Sequence, residues 1–124
     1  MKRFILCLMA LLAVSVMTSC EKETDFGYPQ SVNFTKDGGE KVITGTTNFT
    51  GAHIHDYKSG EDGAFVPRED DIKCQVYEWL TIEYLANSTE LKIIAEPNTS
   101  GKSRKLHIEL HLRQEYQVVE VKQE

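Results

Sequence analysis

The most constraining feature of this chain is a long alternating run near its C-terminus. Apolar residues occupy every second position of this run: Leu106, Ile108, Leu110 and Leu112. The positions between and after them are polar or charged: His107, Glu109, His111 and Arg113. A period of two is the repeat of a β-strand, and this pattern places one face in a core and the other in water. The chain must therefore build a sheet with one buried and one solvated face.

Shorter alternating segments, separated by turn residues, surround this run, and no helical period persists for ten residues. They predict strands at Ser31–Phe34, 41–47, 72–76, 79–84 and 90–95, with Glu115–Gln123 as the hairpin partner of the long run. Gly38 and Gly39 indicate a turn that needs positive φ. We therefore expect an all-β fold, an immunoglobulin-like antiparallel β-sandwich of about six to eight strands.

The segment 51–72 is the exception to the alternation. It is rich in Gly, Asp and Glu and lacks a steady period. We expect a loop with one strand near residues 53–57. Long loops on a rigid sandwich are frequent binding sites, so this segment is a candidate ligand-binding region.

The N-terminus has the composition of a secretory signal. Lys2 and Arg3 precede an apolar stretch over residues 4–17, and small residues lead to Cys20. The stretch is shorter than the roughly 20 residues that span a bilayer. The pattern predicts a lipoprotein signal peptide over 1–19, cleavage before Cys20, lipidation of Cys20, a tether over 20–28 and a folded domain over 29–124.

The tether begins with acidic residues at 21–25 and resembles the export tag of surface lipoproteins in Bacteroidetes-type bacteria. We therefore expect a membrane partner through the lipid at Cys20, in the outer membrane and with the domain on the cell surface. The periplasmic face is the alternative location.

Charge and cysteine content restrict the partners. Without Lys2 and Arg3 the chain has 12 basic residues against 19 acidic ones, which changes the net charge from −5 to −7. We expect no nucleic-acid partner, because phosphate binding needs clustered basic residues. Cys7 leaves with the signal and Cys20 joins the lipid, so Cys74 remains as an unpaired cysteine that we expect to be buried.

No catalytic pattern is apparent in the sequence. It has no Ser-His-Asp order, phosphate-binding glycine loop or placed carboxylate pair, and a domain of this size gives little room for an active-site cleft. We expect a protein that is not an enzyme and has no cofactor.

The domain resembles a BACON domain over most of its length. The resemblance rests on residues 32–34 with the Gly38 turn, the Trp79-led strand at 79–82, residues 91–95, and the closing strand at 119–123. Asn98, Gly101 and Arg104 match the turn that precedes the long strand. The resemblance implies an immunoglobulin-like sandwich and a glycan-binding role. Two departures are Asn48-Phe49, where the family usually has a tryptophan, and the longer 51–72 segment.

Three aromatic residues are candidate ligand-binding residues: Trp79, Tyr57 and Phe65. Sugar-binding sites stack rings on exposed aromatic faces. Strict alternation turns Trp79 outward, whereas its position at the start of a strand favours partial burial in the core, and we favour the buried position. Tyr57 and Phe65 lie in the 51–72 segment and are candidates for exposure.

The histidines form two pairs on strands, His53 with His55 and His107 with His111. Each pair lies on one strand face, which suits metal ligation, and Glu109 and Asp56 could add oxygens. An exposed polar face explains the same pattern without a metal. We therefore expect no bound metal and retain these four histidines as weak candidate ligands.

The sequence thus favours a surface lipoprotein that acts as a non-enzymatic binding module for host or dietary glycans. The alternative is a structural or accessory subunit that contacts a protein in an outer-membrane uptake or adhesion assembly. An exposed aromatic platform would favour the first function, and an uncovered apolar edge strand at 41–47 the second.

Overall fold

The computed structural model describes residues 26–124, which form two packed β-sheets. The predicted signal peptide 1–19, the lipidation site Cys20 and most of the tether lie outside the described residues. Within residues 26–124 there is no helix, and hence none with the length and apolar character to span a bilayer.

The described residues contain ten strands. In chain order they are β1 (Ser31–Phe34), β2 (Gly39–Phe49), β3 (Gly51–Asp56), β4 (Glu61–Asp62), β5 (Ala64–Val66), β6 (Lys73–Tyr77), β7 (Leu80–Tyr84), β8 (Ser88–Ala95), β9 (Arg104–Leu112) and β10 (Glu115–Gln123).

Each sheet contains five strands. Sheet A has the order β2-β8-β7-β6-β5, and sheet B has the order β1-β10-β9-β3-β4. All ladders are antiparallel except that of β1 with β10, which is parallel. The neighbours β2-β8-β7 and β10-β9-β3 reproduce the B-E-D and G-F-C orders of an immunoglobulin-like sandwich. The predicted fold class is therefore confirmed, with one parallel edge pair added.

The core lies between the inward faces of the two sheets. Sheet B contributes residues that are at most 3% exposed: Ala52, Ile54, Leu106, Ile108, Leu110, Leu112, Val119 and Val121. Sheet A contributes Leu80, Ile82, Leu91 and Ile93, each 0% exposed. Full burial of one such side chain stabilises the fold by about 1.5–3 kcal/mol. The alternation in β7, β8, β9 and β10 therefore has the register that the sequence predicted.

Gln75 is a polar residue inside this core. It lies in β6 of sheet A, and its Oε1 atom accepts a hydrogen bond from the backbone N–H of Ile54 in β3 of sheet B. This bond satisfies two buried polar groups and links the two sheets.

A polar cluster closes one end of the sandwich. The Arg104 guanidinium lies 4.6 Å from the ring centroid of Trp79, and its Nε donates to Gln123 Oε1 at 2.7 Å. Gln123 Nε2 in turn donates to the carbonyls of Glu96 at 2.8 Å and Thr35 at 3.1 Å. The cluster connects the start of β9 and the end of β10 to the chain that leaves β8, so it ties sheet B to sheet A.

The 51–72 segment was predicted to be mostly irregular loop, and its structure is more regular than that. It contains β3, as expected near 53–57, and also the short strands β4 and β5. These two strands have two and three residues and no buried position, so they give no alternation that a sequence reading could detect. They bring the strand count above the expected six to eight.

The packed part of the chain also begins earlier than predicted. Tyr28 is fully buried, and its hydroxyl donates to the Thr47 carbonyl at 2.6 Å. The backbone N–H of Thr46 donates to the Phe26 carbonyl at 2.8 Å, and Phe26 packs against the core. Residues at the end of the predicted tether therefore belong to the sandwich.

Two consecutive isoleucines in β8 test the assigned faces of sheet A. Ile93 is fully buried, whereas Ile94 points away from the core and is partly exposed. We expect Ile93→Ala to lower the free energy of unfolding by about 2–5 kcal/mol, because it leaves a cavity in a packed core. Ile94→Ala, with the same change in composition, should cost less than about 1 kcal/mol. Denaturant unfolding measures both, and equal losses would contradict the assigned register.

Candidate binding face of sheet B

The outer face of sheet B brings together the four histidines of the chain. His53 and His55 alternate with the buried Ala52 and Ile54 in β3. His107 and His111 alternate with buried leucine and isoleucine in β9. Since β3 and β9 are adjacent, the side chains that face away from the core form one surface, which we call the histidine face.

The strand register determines which side chains lie opposite one another. His55 is paired with His107, and His53 is paired with Glu109. On the outer strands, Asp62 is paired with His55 and Glu120 with His107. Directly opposed side chains in a sheet are close enough to interact, so a row of acid–His–His–acid crosses the sheet.

His53 lies at the centre of the histidine face. Its Nδ1 is 3.0 Å from His111 Nε2, and the two rings stack with centroids 5.0 Å apart. Its Nε2 is 3.1 Å from Glu109 Oε1 and 3.7 Å from Asp62 Oδ1. Both ring nitrogens of His53 therefore face groups that bind protons or metal ions.

Tyr57 follows β3, and its side chain lies on the same face. Its hydroxyl donates to Glu109 Oε2 at 2.8 Å, and its ring makes edge contacts with His55 and His107 at centroid distances of 4.6 Å. The hydrogen bond to Glu109 raises the pKa of Tyr57 to about 12, so the phenol remains a donor at neutral pH. The residue is still 53% exposed.

His55 and His107 flank Tyr57 in different electrostatic settings. His55 Nδ1 lies 2.6 Å from Asp62 Oδ1, and this hydrogen bond lowers the pKa of Asp62. Partial burial lowers the pKa of His107 and outweighs the nearby Glu120 carboxylate, 3.6 Å from its Nε2. Burial therefore favours the neutral form of His107.

A groove of about 640 Å³ adjoins the histidine face where β9 begins and β3 and β10 end. Its lining residues are Asp56, Tyr57, Lys58, Ser103, Arg104, Lys105, His107, Lys122 and Gln123. The lining contains three lysines and one arginine, compared with one aspartate. The groove thus has an excess of positive charge, although the whole chain has a net charge of −5.

One carboxylate moderates this charge. Glu120 lies between Lys105 and Lys122, with Nζ–Oε distances of 3.4 and 3.6 Å. Partial burial raises the pKa of Glu120, but the two lysines outweigh this effect, and the net shift is downward. Glu120 is therefore ionised and positions the two ammonium groups. Arg104 lines the groove and also belongs to the Trp79 cluster.

The other residues singled out in the sequence lie elsewhere. Trp79 is only 6% exposed and lies in the core beneath Arg104, so its ring offers no exposed stacking platform; the buried position was the correct expectation. Phe65 is 58% exposed, but lies in β5 at the edge of sheet A. Cys74 is unpaired and buried in β6, as expected.

The basic side of the groove was not predicted from the sequence. Lys105 has the same parity as His107 in β9, and Lys122 has the same parity as Glu120 in β10. Alternation alone would have placed each of them on the outer face. What the sequence did not contain was the alignment of Lys105 with Lys122 across the ladder.

Comparison with known proteins identifies the fold and no more. No family model and no curated protein matches this chain. Its structure is similar to the NMR structure of a protein from Bacteroides thetaiotaomicron, with a TM-score of 0.55 and 12% sequence identity. The similarity covers 87% of this chain and 94% of that protein.

Proposed function

We propose that this protein is a surface lipoprotein that binds acidic glycans without catalysis, through the groove beside Tyr57. The observation that supports this function best is the composition of the groove, where a half-exposed aromatic ring stands beside clustered cationic side chains. The resemblance to BACON domains supports a glycan as the ligand.

The chemistry of the groove suits a charged sugar. The Tyr57 ring supplies an amphipathic surface for the apolar face of a sugar ring. Lys58, Lys105 and Lys122 supply ammonium donors for carboxylate or sulfate groups. The volume of about 640 Å³ lies within the usual range for small-ligand sites and is suited to a short oligosaccharide.

The proposed location rests on the N-terminal sequence. A lipid on Cys20 would anchor the sandwich through the tether, and the acidic residues at 21–25 favour export to the outer face of the outer membrane. A mature chain anchored in this way would present the groove to extracellular polymers.

The second candidate function is contact with a protein partner in an outer-membrane assembly. It is favoured by the outer face of sheet A, where Val42 is 55% and Leu85 50% exposed beside a smaller groove of about 230 Å³. The edge strand β2 is less suited to strand addition, because Glu40 and Lys41 carry charges there and the Phe26 carbonyl already occupies the Thr46 N–H.

If Cys20 carries the lipid anchor, substitution of this one residue should abolish membrane association. Wild-type chain expressed in a Gram-negative host should partition with membranes, and Cys20→Ala should lose this association because it lacks the acylated thiol. Fractionation followed by immunoblotting measures the partition. A Cys20→Ala protein that remained in the membrane fraction would refute the lipid anchor, and Cys74→Ala serves as the cysteine control.

The groove predicts selective binding on an oligosaccharide array. The full chain, purified in detergent, should bind uronic-acid or sulfated oligosaccharides in preference to neutral ones, and the affinity should fall with added salt. Tyr57→Ala should weaken binding at least about tenfold, which corresponds to about 1.4 kcal/mol. Lys105→Ala should weaken it several-fold.

Phe65→Ala is the matched control, since it removes an equally exposed aromatic residue from the other sheet. Its binding should equal that of the wild type. Absence of binding by the wild type, or equal losses in Tyr57→Ala and Phe65→Ala, would contradict the proposed site and direct attention to a protein partner on sheet A.

A further inference from the structure

The centre of the histidine face has a second property that glycan binding does not require. Three side chains from two adjacent central strands direct nitrogen and oxygen atoms toward one another. We propose that His53, His111 and Glu109 bind one divalent transition-metal ion of the Zn²⁺ class. This inference does not rest on the proposed glycan groove, although Tyr57 contacts both sites.

The spacing of the three groups suits one small ion. A ligand atom of each residue lies within 4.8 Å of those of the other two. His53 makes its two short contacts through opposite ring nitrogens: Nδ1 lies 3.0 Å from His111 Nε2, and Nε2 lies 3.1 Å from Glu109 Oε1. One ion can bind only one of these nitrogens, so one of the two contacts is a ligand–ligand spacing and the other is not. Ligands each about 2.0–2.1 Å from a tetrahedral zinc lie roughly 3.3 Å from one another, so side-chain rotations that shorten separations of up to 4.8 Å would complete the site.

The ligand types determine the class of metal. Two imidazoles and one carboxylate are a set that zinc uses in sites that retain an open position. Imidazole nitrogen also suits Cu²⁺ and Ni²⁺, whereas Mg²⁺ and Ca²⁺ prefer oxygen ligands. The fourth position would face solvent, because these three side chains lie on the outer face of the sheet.

A second layer of contacts holds the carboxylate in position. Glu109 directs Oε1 toward His53 and receives the Tyr57 hydroxyl on Oε2. Metal-bound carboxylates are commonly fixed by such a hydrogen bond to the oxygen that does not bind the ion. The strand register supplies further order, because His53 and Glu109 are directly paired across β3 and β9.

A competing set shares His53 and includes His55 and Asp62. Its carboxylate is less well fixed, since the Asp62 side chain is 57% exposed and belongs to the two-residue edge strand β4. The Glu109 side chain is 18% exposed and lies in the middle of β9. We therefore assign the ion to the set that contains Glu109 and His111.

Isothermal titration of the full chain with Zn²⁺ tests this assignment. The protein is purified in detergent without a polyhistidine tag and treated with a chelator. We expect one Zn²⁺ per chain, no heat with Mg²⁺, and a visible Co²⁺ spectrum typical of four-coordinate nitrogen and oxygen ligation. His53→Asn and His111→Asn should each lower the Zn²⁺ affinity at least tenfold. Tyr57→Phe should lower it less.

The matched control is His107→Asn. His107 lies on the same face but contributes no ligand atom to either set, so the Zn²⁺ affinity of this variant should equal that of the wild type. Thermal unfolding without metal confirms that each variant folds, and Zn²⁺ should raise the melting temperature of the wild type but not of His53→Asn. The proposal is wrong if wild type binds no Zn²⁺, if His107→Asn loses affinity as His111→Asn does, or if His55→Asn abolishes binding while His111→Asn retains it.

Discussion

The register of β9 against β3 on one side and β10 on the other is the constraint on which the rest of the structure depends. It places Ile108 beside Ile54 and Val119 in the core, and by the same alternation it places His107 beside His55 and Glu120 outside. A slip of one residue would exchange the two faces, burying histidines and exposing isoleucine. The apolar core therefore fixes the histidine face, although no histidine contributes to the core.

At one end of these strands, polar contacts supplement the apolar packing. Arg104 begins β9, Gln123 ends β10, and both are bound to the chain around Glu96 and Trp79. Residues that support the family resemblance, among them Trp79, Arg104 and Gln123, thus have a structural role in joining the sheets. The proposed ligand groove lies directly beside this end of the sandwich, with Arg104 common to both.

Alternation was sufficient to predict the strands with strong apolar periods, and Ser31–Phe34 and Glu115–Gln123 have the predicted bounds. It could not predict β4 and β5, which bury nothing and exist because β3 and β6 offer free edges. It also placed each histidine pair on a strand face but could not show that the two strands are neighbours. That adjacency follows from strand pairing between residues more than fifty positions apart, such as His53 and Glu109.

We propose that the outer face of sheet B is the binding surface of this protein. Amide chemical-shift mapping of the isotope-labelled full chain in detergent, titrated with an acidic oligosaccharide, tests it most directly. We predict that the shifted amides cluster around Tyr57, Lys105 and Lys122. Shifts that cluster instead around Val42 and Leu85 on sheet A would contradict the claim.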